Sequence, residues 1–300
     1  MKNLDTLVTD IYKKIEVLSD GKEIKITDKV LDDFGDSMKD ALKHWASPRK
    51  IDKTSTTGLR MSNIGRPDRQ LWFDLNSKKD LEIKLDPSTY IKFLYGHLLE
   101  VLVLFFVRLS GHSVTSEQKK VKVSGIAGHM DCVIDGEVID VKTASGYSSY
   151  MSEPQGKVSF KKFKDGSLAE NDNFGYLAQL AGYEEAEKTS KGGFLVLNKE
   201  TGELTLFRPE ELDKPNIKGR IRTVKKVVKG KTPPDFCYPP VPEGKAGNLK
   251  LARPCFYCVH KLECHKEAND GKGLRAFKYS KGLTYLTKVV RLPNVPEASL

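Results

Sequence analysis

Cysteine and tryptophan are scarce in this sequence, with five of the first and two of the second in 300 residues. Four of the cysteines, Cys237, Cys255, Cys258 and Cys264, fall in the last 64 residues. That leaves no disulfide framework to hold the rest, and a chain of this length can bury a substantial core without one. Long apolar runs are missing as well. The longest, Val101 to Val107, falls well short of the roughly 20 residues that a bilayer-crossing helix needs. Met1-Lys2-Asn3-Leu4-Asp5 leads into a mixed charged helix, without the basic region and apolar run of a secretory signal. These absences point to a soluble, cytoplasmic protein with no membrane partner. No Gly-x-x-x-x-Gly-Lys-[Ser/Thr] phosphate loop occurs, so any strand-unwinding motor would be a separate chain. Internal repeats and low-complexity tracts are absent too.

Acidic residues thin out toward the C-terminal end. From Lys214 onward there are 19 Lys and Arg against 6 Asp and Glu, a balance of +13 in a chain of net charge +10, so residues 1–213 carry −3. Lys218, Arg220, Arg222, Lys225, Lys226, Lys229 and Lys231 alternate with Val224, Val227 and Val228. That spacing predicts a helix with an apolar stripe and a cationic face. A solvated surface would explain it, but one sign of charge over the whole segment favours contact with a polyanion.

Periodicity divides the chain into a helical region at 1–59, a core at 60–213 and a basic, cysteine-bearing region at 214–300. Leu4, Leu7, Val8, Ile11, Ile15 and Leu18 predict one amphipathic helix, broken at Ser19-Asp20-Gly21, and a second spans Thr27 to about Trp45. Residues 46–60 read as a loop. Ser62 is a credible N-cap for a basic and aromatic helix containing Arg69, Trp72 and Phe73. Ser88 to about Leu109 is apolar nearly all round and is expected to be buried. Strands follow at 121–123, 128–134 and 137–143, with a tight turn at Asp135-Gly136. Then come a Gly- and Ser-rich loop (144–158) and a mobile segment, Phe160 to Asn173. A helix over 174–187 and a hairpin of Gly193–Asn198 with Glu203–Phe207 complete a mixed α/β core.

Chemistry concentrates in the predicted hairpin. Asp140 and Lys142 are two residues apart and project from one strand face, with Ile139 and Val141 on the other. Alone, Asp-x-Lys is an ordinary cross-strand ion pair. Asp131 on the preceding strand lengthens the pattern into a charged cup whose oxygen ligands suit Mg²⁺ or Mn²⁺. Glu100 adds a carboxylate within the apolar helix, where burial costs several kcal/mol unless a cation accompanies it. A lysine or arginine could be that cation; a metal ion is the other candidate. Cys255-x-x-Cys258, followed by five residues and Cys264, has the spacing of metal ligands rather than of a redox pair. Cys132 reads as a small buried hydrophobe.

Gly96-His97-Leu98-Leu99-Glu100, Gly128-His129-Met130-Asp131, Asp140-Val141-Lys142 and Gln179-Leu180-Ala181-Gly182-Tyr183 occur in that order. Together they resemble the PD-(D/E)xK nuclease superfamily, and within it the RecB-like and Cas4-like exonucleases, over residues 60–265. The resemblance implies a restriction-endonuclease-like core: a mixed central sheet flanked by helices. It implies one or two Mg²⁺ or Mn²⁺ ions held by Glu100, Asp131, Asp140 and the Val141 carbonyl. Lys142 would orient or deprotonate the attacking water, and Gln179 and Tyr183 would position the strand or the lysine. The C-terminal cysteines resemble the iron–sulfur appendage of Cas4-like and AddB-like nucleases. Those relatives draw their first cysteine from Cys-Pro-x-Arg, whereas this chain has Arg66-Pro67-Asp68-Arg69. Cys237 is therefore the candidate fourth ligand of a [4Fe–4S] cluster, or of Zn²⁺, and His260 or His265 could replace one thiolate.

The function implied is a metal-dependent deoxyribonuclease acting on single-stranded or duplex DNA ends in recombination, repair or phage DNA processing. If the chain is phage-encoded, it would work in a bacterial host's cytoplasm, beside a helicase or a single-strand annealing or binding protein. Arg66, Arg69, Lys218, Arg220, Arg222, Lys225 and Lys226 are the candidate phosphate contacts, and Trp72 or Tyr176 could stack on an unpaired base. A structure- or site-selective endonuclease, a non-catalytic DNA-binding module, and a cysteine tail that docks another protein are the alternatives.

Overall fold

The structure is a computed structural model that describes residues 2–47, 58–77, 86–145, 160–280 and 282–300. Most of the two loops expected at 46–60 and 144–158 lies outside the described residues. The helices in chain order begin with α1 (Leu7–Glu16), α2 (Asp28–Ala46), α3 (Asp68–Asn76) and α4 (Pro87–Leu109). Strands β1 (Val114–Thr115), β2 (Lys119–Val123), β3 (Ile126–Met130), β4 (Cys132–Ile134) and β5 (Glu137–Ala144) follow. Then come α5 (Phe160–Lys164), α6 (Tyr176–Glu187), β6 (Gly192–Asn198), β7 (Leu204–Phe207) and α7 (Ile217–Val227). The C-terminal part holds β8 (Val241–Glu243), β9 (Asn248–Lys250), α8 (Arg253–Phe256), α9 (Lys261–Cys264) and α10 (Ala268–Gly271). It ends with β10 (Arg275–Tyr279), β11 (Gly282–Lys288) and β12 (Glu297–Ala298).

Two compact units result. The first comprises Met1–Gly65, Lys78–Met151 and Lys157–Arg222; the second comprises Arg66–Ser77, Ser152–Gly156 and Thr223–Leu300. The first is mixed α/β around a five-stranded sheet of order β1-β4-β5-β6-β7, in which β5 and β6 run parallel and the other pairs antiparallel. Its N-terminal helices share that core. Leu4, Leu7 and Ile11 cluster with Val103, Leu104 and Val107 of α4 and with Ile139, Val141 and Leu195 of the sheet. A boundary near residue 59 therefore does not separate the N-terminal helices from the sheet. The turn between β4 and β5 is Asp135-Gly136 with φ of 48° and 90°. Both residues are left-handed, which is the conformation a two-residue hairpin loop demands and Asp-Gly supplies.

Three expectations need correction. The strand expected over 128–134 breaks at Asp131: β3 pairs with β2 in a separate two-stranded sheet, while β4 pairs with β5. The backbone carbonyl of Asp131 instead accepts from Gln118 N at 2.9 Å. Its carboxylate takes the Val141 N–H at 2.9 Å, so ladder bonding is exchanged for side-chain bonding at this point. Second, 160–173 carries secondary structure, α5 and a 3₁₀ turn at Ser167–Asn171, with Phe160, Phe163 and Leu168 buried. Asp172 receives the N–H groups of Tyr176 and Leu177 at 2.9 and 2.8 Å, tying this segment to the start of α6. Third, α4 is not buried all round. Val103, Leu104 and Val107 are buried where it crosses the sheet, whereas Tyr90, Ile91 and Tyr95 nearer its start are exposed. That earlier part packs on α2, where Trp45 Nε1 donates to the Tyr90 carbonyl at 2.9 Å. By length and composition alone α4 is long and apolar enough to cross a membrane, with mean hydropathy 1.7 over its most apolar window. In the fold it packs on α1, α2 and β5.

The second unit adds an element the sequence did not announce, an antiparallel five-stranded sheet of order β12-β10-β11-β9-β8. The same unit contains α3. This helix begins at Asp68 rather than near Ser62, because a residue preceding proline is pushed out of the helical region and Pro67 holds the N-cap position. Leu71, Phe73, Leu251, Leu274, Phe277 and Leu286 are among the buried apolar side chains of this unit.

Candidate functional site

Strand β5 sits in the middle of the first sheet and divides its side chains by alternation. Ile139 and Val141 face the core shared with α1 and α4. Asp140 and Lys142 share the opposite pleat, and Lys142 Nζ lies 2.5 Å from Asp140 Oδ2. Asp140 is fully buried, and neither carboxylate oxygen accepts a hydrogen bond of good geometry from the described residues. Its neighbour across the hairpin is Asp131, held by the Val141 N–H. Glu100 reaches the same place from α4 and accepts from Gln118 Nε2 at 2.8 Å.

These four charges lie within electrostatic reach of one another, and their proton affinities show it. Burial pushes Glu100 up to about 7; Lys142 pulls it down and Asp140 raises it. Asp131 is held well above its usual range, first by burial and then by the charge of Asp140, with Lys142 opposing. For Lys142 burial works against the charged form, yet Asp140 and Asp131 outweigh it and hold the ammonium above its usual value. Three ionised carboxylates against one lysine would leave uncompensated negative charge in a low-dielectric place, which is why Glu100 and Asp131 hold their protons more tightly than usual. A small divalent cation would answer that demand, and the donors present, all hard oxygens, are of the kind Mg²⁺ or Mn²⁺ prefers. Among the described residues no three His, Cys, Asp or Glu side chains already stand in ligating arrangement.

Helix α6 supports the site from the other sequence motif. Gln179 Nε2 donates to the Tyr183 hydroxyl at 3.0 Å, and both residues are buried. Burial and the nearby Asp140 charge raise the Tyr183 phenol above its usual value. Tyr176, one helical turn before Gln179, lies with its ring centroid 5.4 Å from Lys142 Nζ, a cation–π contact. Two motif glycines have a packing cause. A Cβ on Gly128 would come 2.6 Å from Met61 Cβ, and one on Gly182 2.1 Å from Met61 Sδ, so fully buried Met61 fits only where both lack side chains.

Gln118 is a site residue the sequence does not flag. It holds the Glu100 carboxylate with its side chain and the Asp131 carbonyl with its backbone, from a left-handed φ of 49°. Ser116, two residues earlier, is left-handed too. Such conformations are uncommon for residues with a Cβ and gather where geometry is imposed.

Four cysteines fall in the second unit, and among the described residues no three of them stand in ligating arrangement. Cys255 lies within electrostatic reach of Cys237, Cys258 and Cys264, and burial together with these neighbours pushes its thiol up to about 12. None of the four is in a disulfide, and all are half-buried. The two histidines weighed as replacement ligands have other partners. His260 Nε2 is 2.6 Å from Asp74 and its ring stacks on Phe73; His265 stacks on Phe236.

The candidate phosphate contacts scatter. Arg222 and Lys226 are exposed one turn apart on α7. Lys218 pairs with Glu185 at 2.6 Å and Arg66 with Asp74 at 4.0 Å. Arg220 Nε donates to the Ile64 carbonyl at 2.9 Å, and Lys225 is half-buried. Arg69 is turned inward onto Cys264. Trp72 donates its indole N–H to the Gly230 carbonyl at 2.8 Å.

No protein family and no curated protein matches the sequence. One solved structure, described as the crystal structure of SSO0001, aligns with 75% of this chain and 92% of its own at 15% identity, with a TM-score of 0.38. A likeness that distant carries no argument about function.

Proposed function

We propose that the chain is a metal-dependent deoxyribonuclease that hydrolyses phosphodiester bonds at DNA ends, on a restriction-endonuclease-like core. The observation that carries this reading is the fully buried Asp140, which among the described residues is answered by the Lys142 ammonium and by no well-aligned hydrogen bond, beside Asp131 and Glu100. A divalent cation held by Glu100, Asp131, Asp140 and the Val141 carbonyl would supply Lewis-acid chemistry, neutralising phosphate charge and acidifying water. The chain's own contribution follows from its electrostatics. Because the carboxylates keep Lys142 protonated, it acts first as a fixed ammonium that orients the attacking water and offsets negative charge growing on the phosphate. Tyr176 and Asp140 fix the position of that ammonium. Gln179 holds the Tyr183 hydroxyl through a hydrogen bond within α6, and Tyr183 lies within electrostatic reach of Asp140 and Lys142.

The test uses end-labelled linear and circular single-stranded DNA with Mg²⁺ or Mn²⁺. Loss of label from linear DNA with intact circles is the expected result; nicked circles would make the enzyme an endonuclease. Asp140→Ala and Lys142→Ala should each abolish cleavage while DNA affinity stays within about threefold, since neither change removes more than one charge from the contact surface. Wild-type cleavage by either variant would overturn the assignment.

A further inference from the structure

Arg69 presents an observation that phosphate recognition does not use. Its guanidinium donates through Nε to Cys264 Sγ at 3.1 Å and through Nη2 to the Cys264 carbonyl at 3.3 Å, while Nη1 donates to the Pro234 carbonyl. The group lies over the Phe236 ring, 4.2 Å from its centroid, with Phe73 at 5.5 Å. The fork is thus spent inside the second unit, on one sulfur and the two carbonyls that frame it. Arginine stays charged at any working pH, so this is a permanent cation whose N–H points at a cysteine sulfur.

The neighbouring sulfurs are treated alike. Cys237 receives the backbone N–H groups of Arg69 and Gln70, the second and third residues of α3. These belong to the unsatisfied donors of a nine-residue helix, at the end that favours negative charge. Cys258 receives the His260 N–H. A neutral thiol is a weak acceptor and gains little from such donors, whereas a thiolate gains much. Three of the four cysteines thus have N–H donors beside their sulfur, although burial outweighs those donors at Cys237 and Cys258 and raises both thiols.

We propose that Arg69 is a positioning and charge-compensating residue for a metal–thiolate site formed by Cys237, Cys255, Cys258 and Cys264, rather than a DNA contact. This rests on the metal-ligand reading of the four cysteines. Four thiolates around a divalent metal carry net charge −2, and Arg69 offsets half of it while fixing the Cys264 sulfur lone pair. The hydrogen bond also withdraws electron density from sulfur, so it changes the colour of the site as well as its affinity.

The experiment uses the full chain, stripped of metal under reducing conditions and titrated with Co²⁺ while thiolate-to-cobalt charge-transfer absorption is followed. Wild-type protein should bind one Co²⁺ with an intense thiolate band. Arg69→Gln should bind roughly 10–100-fold more weakly, the usual cost of losing such a partner, and its band should move to longer wavelength. Arg69→Lys keeps the charge but not the fork, so it should recover part of the affinity and none of the band position. If Arg69→Gln does not fold, Arg69→Lys decides alone by its band. Wild-type affinity and an unmoved band in the variants would overturn the role of Arg69 and leave the metal site standing. Weaker binding with an unmoved band would reduce Arg69 to a staple between loops and overturn the proposal as well. Absence of a thiolate band in wild-type protein would overturn the metal reading itself and the proposal with it.

Discussion

Asp140 and Gln118 show how single residues set the character of the candidate site. A buried carboxylate is stable as an anion only if a cation answers it, and Lys142 answers one of the two oxygens of Asp140. Gln118 acts one step further out, since it touches both Glu100 and the Asp131 backbone. Gln118→Ala should raise the Mg²⁺ concentration needed for half-maximal cleavage roughly 10–100-fold, with DNA affinity unchanged. Equal Mg²⁺ dependence in the variant and the wild type would remove Gln118 from the site. A different residue, Asp135, links the hairpin to what precedes it. Its carboxylate lies 2.5 Å from His112 Nδ1 and accepts from Ser113 N at 3.0 Å. Burial alone would raise its pKa, but His112 and Ser113 hold it below the ordinary 3.8. Its folded value being the lower one, the stabilisation is complete above 3.8 and disappears as pH falls through the folded value. Asp135→Asn should therefore destabilise the protein at neutral pH by about 1–3 kcal/mol, and the difference from wild type should shrink below about pH 3.8 in urea titrations.

Among the elements, β3 and α6 are locked together through Met61. Gly182→Ala puts its Cβ on the movable Sδ end of Met61, whereas Gly128→Ala meets Met61 Cβ, which cannot swing away. Each should lower stability by about 1–3 kcal/mol. In a Met61→Ala background the Gly182→Ala penalty should vanish, while the Gly128→Ala penalty should persist, because alanine keeps the Cβ at 2.6 Å and Tyr183 Cε1 is 3.1 Å away. Thermal unfolding of the five variants checks this; strictly additive losses for Met61 and Gly182 would mean that the Met61 side chain does not press on α6. Element boundaries that depend on local chemistry were legible beforehand. Asp135-Gly136 announces its turn, and the spacing of Leu7 and Ile11 announces the face of α1 that is buried. The break at Asp131 was not legible, because β-propensity and alternation run through Met130 and Cys132 without interruption. Only the Val141 N–H, ten residues later, gives the Asp131 carboxylate a reason to leave the ladder.

For the molecule as a whole, charge is the property that reads straight from composition. The C-terminal third carries its excess of lysine and arginine whatever the fold, but which of those side chains remain available is a tertiary matter. Arg222 and Lys226 are exposed, whereas Arg220 is engaged by the Ile64 carbonyl. Replacing Arg222 and Lys226 together by Gln should lower DNA affinity equally for all sequences and flatten the slope of log K against log salt by about 2. Arg69→Gln should leave that slope unchanged. A reversed pattern in salt-titrated binding assays would return Arg69 to the contact surface.

Sequence order alone determined the ingredients: an Asp-x-Lys strand, a carboxylate embedded in an apolar helix, a cysteine trio at ligand spacing and a basic C-terminal region. Those are local facts, set by alternation, helical period and residue type. The tertiary structure decided which of them meet. It brought Glu100 across from α4, recruited Gln118, and drew Cys237 and the inward-facing Arg69 to the start of α3. Contacts between residues far apart in the chain depend on how whole elements pack, and no local pattern encodes that packing.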